Sequence, residues 1–250
     1  MTGVLAQIFR HPIKGIGSEA IEHAQVSPDG AMAGDRAFAF LNAKGEDTSD
    51  WQPRDNFLQV ASGPGLAAVR AATLPDGRIA LSAPGRPDLT IGGEADGAAL
   101  AEWVAPLWPE NRPGPTRLLT APGHGMTDMP DPYISLASLA SLRALSAAAG
   151  LADGEMMDPR RFRINFWIED MPAWSEFDLV GRRFQLGGVM FEVAQRIGRC
   201  RAPEANPMDG KRDVNVLRLL SDSWGHTDLG IYARPLDAGE IALGAPLAVA

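Results

Sequence analysis

The residue with the most distinctive chemistry in this sequence is its one cysteine, Cys200. It stands in the run Arg196-Ile197-Gly198-Arg199-Cys200-Arg201, just after the apolar segment 189–193. Arginines at 196, 199 and 201 favour the thiolate, which is the form that attacks as a nucleophile or binds a soft metal. The polar run Glu204-Ala205-Asn206-Pro207 that follows marks a loop end, where ligands tend to sit. The other reading of a lone cysteine is a small buried hydrophobe without reactivity.

Cationic residues elsewhere could serve a bound anion. In the segment 160–165 a strand periodicity of two puts Arg161, Arg163 and Asn165 on one side. That side would offer two guanidinium forks and an amide to a phosphate, or else form a solvated edge. Lys14 lies in His11-Pro12-Ile13-Lys14-Gly15-Ile16-Gly17, a strand end followed by a glycine-flanked turn whose backbone N–H groups could form an anion nest. The run does not match a P-loop. Arg36, after Asp35, is either a further anion contact or an ion-paired turn residue. The histidines at 11, 23, 124 and 226 have no metal-binding spacing, and neither a nucleophile elbow nor a zinc-peptidase helix is present.

Composition narrows the classes. The 250-residue chain can bury a core without staples, and its 45% hydrophobic and 22% charged content is that of an ordinary globular protein. A net charge of −8 argues against nucleic acid as a partner. Yet residues 159–218 hold 11 Lys and Arg against 8 Asp and Glu, a basic patch in an acidic chain. One cysteine permits no intrachain disulfide and no cysteine-based zinc or iron–sulfur site. A reducing, cytoplasmic setting is expected, with neither a signal peptide nor a membrane span.

These residues must be positioned by short strands. Apolar segments at 4–9, 21–26, 37–41, 66–71 and 78–82, separated by turn residues, indicate a barrel or sandwich rather than alternating β/α units. A short helix is expected at 95–107 and a Pro- and Gly-rich linker at 109–132. The clearest helix spans 136–149, with leucines at 136, 139, 142 and 145, Ser135 or Ser138 as cap and Gly150 as stop. Strands return from 161. Gly187-Gly188 turns a hairpin between 183–186 and 189–193, a short helix follows at 213–220, and closing strands lie at 230–234 and 240–243.

In order, these pieces resemble a known family. HPIKGIG (11–17) looks like the Tyr-Pro-hydrophobic-Lys-Ser motif of the MOSC N-terminal β-barrel domain, and GDRAFAF (34–40) is similar to that domain's Asp-Arg strand. RFRINFWI (161–168) resembles the Arg-Phe-Arg-x-Asn strand that opens the MOSC domain. The closest likeness is GRCRAPEANPMDGKRD (198–213), followed by WGHTDLGIYARPLDAGEIALGAPL (224–247). The likenesses span nearly the whole chain. Gly15 stands where relatives often have Ser, Pro203 near a common Thr, and Ala245 in place of a terminal Asp.

The resemblance implies a mainly β fold of two closely packed barrel-like parts with a few short helices. It divides the chain near 1–120 and 121–250, with the parts intertwined. It also implies a molybdenum cofactor (molybdopterin), with Cys200 as catalytic residue and metal ligand. Lys14, Arg36, Ser135, Arg163 and Asn165 would hold the cofactor. Pyridoxal phosphate, also associated with the wider family, is not expected. The implied activity is that of the mitochondrial amidoxime-reducing component and its bacterial relatives: reduction of small N-hydroxylated compounds by oxygen-atom removal. Electrons would come from a separate ferredoxin, flavodoxin or reductase. The alternatives are a sulfur carrier using Cys200 and a module that binds or delivers the cofactor without catalysis.

Overall fold

The computed structural model describes residues 2–48 and 50–249. It is mainly β, with three α-helices among the described residues. The first half carries β1 (Thr2–Arg10), β2 (Glu19–Ile21), β3 (His23–Ser27), β4 (Ala31–Met32), β5 (Phe38–Asn42), β6 (Arg70–Thr73), β7 (Ile79–Ser82), β8 (Leu89–Ile91), α1 (Gly97–Val104) and β9 (Pro115–Thr120). The second half carries β10 (Ile134–Ser138), α2 (Leu139–Ala148), β11 (Phe166–Glu169), β12 (Arg183–Leu186), β13 (Val189–Gly198), α3 (Val216–Trp224), β14 (Asp228–Pro235), β15 (Gly239–Ala242) and β16 (Pro246–Val249).

Seven strands close into a barrel in the order β11, β10, β14, β13, β12, β16, β1 and back to β11. Closure leaves those strands without free edges. Only β10 and β11 run parallel, and α2 makes the crossover that such a pair requires. Inward-facing residues alternate along the strands, so the lumen fills with Leu5, Ile8, Leu136, Phe166, Phe184, Phe191 and Ile231. Phe184 and Phe191 face each other across β12 and β13 with rings stacked at 5.1 Å. Such a pair adds to sheet stability beyond the area it buries. Against the barrel's outer wall, α2 and α3 bury Leu139, Leu142, Leu145, Val216 and Leu220 with Trp167 and Phe162.

The first half supplies its opening strand to that barrel. Of its other strands, β2 extends the sheet from β1, while β5 with β9 and β6-β7-β8 form small sheets around a second core of Ile13, Phe40, Leu58, Leu81, Ile91 and Trp103. The halves are also joined in the other direction, because β15 pairs with β3. No helix among the described residues is long and apolar enough to cross a membrane.

Several sequence expectations shift. The segment 136–149 begins as strand β10. The helix starts at Leu139, where the Ser138 hydroxyl accepts from the Ala140 N–H at 3.1 Å. The segment 21–26 is two strands broken at Glu22, and the helix expected at 213–220 runs Val216–Trp224, capped by Asn215. The supposed linker 109–132 contains β9. Strand periodicity fails at 160–165: Pro159–Phe162 is a 3-10 turn, and Arg163 has left-handed backbone (φ +53°). Arg161 is therefore directed to Asp213, with both terminal nitrogens at 2.7 Å from its carboxylate oxygens.

Candidate functional site

A cleft of about 840 Å³, open to solvent, is lined by residues of both halves. From the first half come Lys14 and Gly15 after β1, Arg36 before β5, and the segment 59–61. From the second come Ser135 on β10, Arg163 and Asn165 before β11, Gly198–Cys200 at the end of β13, and Tyr232 on β14. All six residues singled out in the sequence, Cys200, Lys14, Arg36, Ser135, Arg163 and Asn165, line this one cleft.

Local backbone accounts for each placement. Arg36 and Arg163 both adopt positive φ, +48° and +53°, an uncommon conformation for residues with side chains. Arg36 is held there by its N–H to the His11 carbonyl (2.7 Å), and one terminal nitrogen reaches the Arg163 carbonyl at 2.9 Å. Arg163 in turn donates to the carbonyls of Gly17 (2.9 Å) and Ile13 (3.3 Å), locking the Lys14 turn beneath it. In that turn Gly15 has φ +73°, and a Cβ would collide with the Leu58 carbonyl and lie 2.8 Å from the Gln59 Cα. Glycine is thus dictated here by packing and by the left-handed backbone.

Ser135 and Asn165 are engaged with each other. The Ser135 hydroxyl donates to Asn165 Oδ1 at 2.8 Å and accepts the Asn165 N–H at 3.0 Å, while Asn165 Nδ2 donates to the Phe9 carbonyl at 3.1 Å. Their polar atoms therefore stitch β10 to β1 and brace Arg36, whose Nη1 lies 3.4 Å from Asn165 Oδ1.

The cleft is electropositive. Lys14, Arg36, Arg54, Arg163 and Arg199 line it against one lining carboxylate, Asp128, with Asp35 paired to Arg36. Lys14 is buried and donates to Asp128 at 2.6 Å. Burial raises the Asp128 carboxyl, but Lys14, Arg36 and Arg54 outweigh it and hold the group down at about 2. Burial likewise lowers Lys14, opposed by Asp128. Arg163 and Arg199 have no carboxylate partner among the described residues; they donate to carbonyls, Arg199 to that of Phe162. Burial and then the Arg36 charge lower Arg163 to about 9, which leaves it cationic at neutral pH.

Cys200 follows the last turn of backbone out of β13, its neighbour Arg199 tied by its N–H to the Thr227 carbonyl at 2.9 Å. Of the three flanking arginines only Arg199 lines the cleft. Arg196 lies over the Phe177 ring at 4.3 Å, and Arg201 pairs with Glu204 at 2.9 Å. The histidines stand apart from the lining: His11 is fully buried and kept neutral by burial and by Arg163 and Arg36, and His226 packs among Trp174, Trp224 and Phe177. The sequence reading missed Arg54, Asp128 and the stacked pair Tyr133–Tyr232, 5.9 Å between centroids. No motif marks them; they reach the cleft through loops and a strand whose courses only the fold defines.

The chain matches the MOSC N-terminal beta barrel domain over residues 2–108 and the MOSC domain over residues 123–248. It belongs to the MOSC family. No curated protein matches it. Solved structures similar to this MOSC chain include the YUAD protein from Bacillus subtilis, 13% identical over 99% of this chain and 94% of that one, with a TM-score of 0.47. YiiM from Geobacillus stearothermophilus is 17% identical over 47% of this chain and 53% of that one, with a TM-score of 0.35.

Proposed function

We propose that this MOSC protein holds a molybdenum cofactor in the cleft, with Cys200 as the protein thiolate on the metal, and reduces small N-hydroxylated compounds. The observation that carries the reading is the convergence of the one thiol and five cations on a single cleft, two of those cations without a carboxylate partner among the described residues. The donor set fits such a group. Among the described residues no cluster of three His, Cys, Asp or Glu could cage an ion, so a metal here would take one soft ligand from the chain and the rest from a non-protein group. An open cleft walled by both halves of the chain can admit a cofactor, and buried guanidinium forks suit its phosphate.

Lys14, Arg36 and Arg163 would hold the anionic part, with Ser135 and Asn165 fixing the arginine geometry through the bonds described above. The chemistry such a group supplies when bound is two-electron reduction: the N-hydroxylated compound, two protons and two electrons give the amine and water. Arg199, next to Cys200 at the cleft, would balance the charge of a metal-bound sulfur. Burial raises the Tyr232 phenol, which therefore keeps its proton at the cleft, whereas Asp128 stays ionised and donates none. Electrons would come from a separate ferredoxin, flavodoxin or reductase.

The test uses protein produced in a host that makes the cofactor. Wild type should carry molybdenum and reduce benzamidoxime with an artificial reductant. Cys200→Ser swaps a soft, ionisable sulfur for a hard hydroxyl, and should melt like wild type while losing turnover. A folded and fully active Cys200→Ser protein, or wild type without molybdenum, would overturn the reading.

A further inference from the structure

Beside the cleft lies an outer basin of about 790 Å³, which shares Arg54, Asp128, Gly198 and Tyr232 with it and adds Trp51, Met129, Gln195 and Arg196. Its walls combine aromatic and thioether surface with charge. Trp51 is anchored by its indole N–H to the Thr127 carbonyl at 3.1 Å, and Tyr232 is braced by its stack on Tyr133. Gln195 reaches the Met129 sulfur at 3.7 Å.

The charges of this basin are unequally satisfied. Asp128 is taken by Lys14, and Asp55 lies 3.9 Å from Arg54. Arg196 alone has no carboxylate within ion-pair distance among the described residues. It does not hang free: its guanidinium lies over Phe177 at 4.3 Å. Strand β13 is irregular on both sides of it, with register shifts between Val193 and Gln195 and between Arg196 and Gly198. These bulges break the in–out alternation, so Ala194, Gln195 and Arg196 are all exposed. Bulges of this kind re-aim side chains beside functional sites. An aromatic stack orients the guanidinium and leaves its N–H edges for another acceptor.

We propose that this basin recognises the non-reacting part of the substrate: a flat aromatic body against Trp51 and Tyr232, carrying a carboxylate that Arg196 binds. This rests on the reading of the cleft as the reaction site, and it narrows the substrates to aromatic N-hydroxylated acids.

Two probes separate the claims: benzamidoxime and 4-carboxybenzamidoxime, titrated calorimetrically into the cofactor-loaded protein and then assayed for turnover. Wild type should bind the carboxylated probe about tenfold more tightly or better, the scale of one charge-assisted hydrogen bond at a partly open site. In Arg196→Gln the two probes should become about equal, and Arg196→Lys should keep part of the preference. Trp51→Ala should weaken both probes alike. Equal binding of the probes by wild type, or parallel weakening of both in Arg196→Gln, would overturn the proposal. Turnover tests the reductase alone: a binding preference without reduction of either probe retains the basin and rejects the reductase.

Discussion

At the scale of single residues, this molecule invests its strain where charge must converge. Arg36 and Arg163 accept left-handed backbone so that two like charges can sit within one hydrogen-bonded web, and Gly15 gives up its side chain to let the Lys14 turn pass Leu58. A different residue shows the cost of burying charge without a cation. Glu176 is fully buried against the start of α2, where it accepts from the Ser141 hydroxyl at 2.8 Å and the Ser138 N–H at 3.4 Å. Burial outweighs those bonds and pushes its carboxyl up to about 7. Because the folded state then holds the proton more tightly than the unfolded state, stability is greatest below about pH 4.5 as far as this group is concerned. It falls as pH rises to about 7, by on the order of 3 kcal/mol. Glu176→Gln should remove that decline: melting temperatures at pH 5 and pH 8 should lie closer together than in wild type. An unchanged pH dependence would mean that Glu176 is already ionised in the fold.

At the scale of elements, the site depends on irregular segments clamped by a few directed contacts. The 3-10 turn Pro159–Phe162 is fastened to the loop after Cys200 by Arg161, which binds Asp213 through two nitrogens and the Pro203 carbonyl at 3.3 Å. Arg161 is buried, so Asp213→Ala leaves a desolvated cation with one neutral partner. Asp213 itself is 39% exposed, which tempers the loss to about 1–3 kcal/mol. That corresponds to several degrees in melting temperature for a chain of this length. The clamp holds the loop that follows the thiol, so Cys200 should also react faster with a disulfide reagent in this variant; an unaltered rate would show that the loop is held by other means.

The same segments divide what the sequence made legible from what it hid. Periodic apolar runs and glycine turns, such as Gly187-Gly188 between β12 and β13, announce regular strands because side-chain alternation and turn chemistry act locally. Lys14, Arg36, Arg163 and Cys200 could be singled out because each belongs to a short recognisable run. Arg161 escaped the periodicity because the backbone there leaves the strand region. Asp128 was hidden within a stretch that composition marks as linker, and Tyr133, Tyr232 and Arg54 meet the cleft only through long-range packing.

At the scale of the whole molecule, the two matched regions are not two separable bodies. The strand β1 closes the barrel between β11 and β16, and β15 completes a sheet with β3 and β4. A fragment of residues 121–250 would lack β1, opening the barrel and exposing Phe166, Ile168 and Leu247 along the gap. Produced alone, it should aggregate or give a poorly dispersed amide spectrum, and co-expression with residues 1–120 should restore a folded complex. A well-dispersed spectrum from the isolated fragment would show that the barrel closes without its first strand.

The position of β1 also sets an order of events in time. Its barrel partners, Phe166–Glu169 and Pro246–Val249, lie more than 150 residues further along the chain, and only Ile8–Arg10 find an earlier neighbour, in β2. On a translating ribosome β1 emerges before either barrel partner, and Leu5 stays without its core until they follow. The segment 2–7 is therefore a stretch that a cellular holdase has a long opportunity to bind.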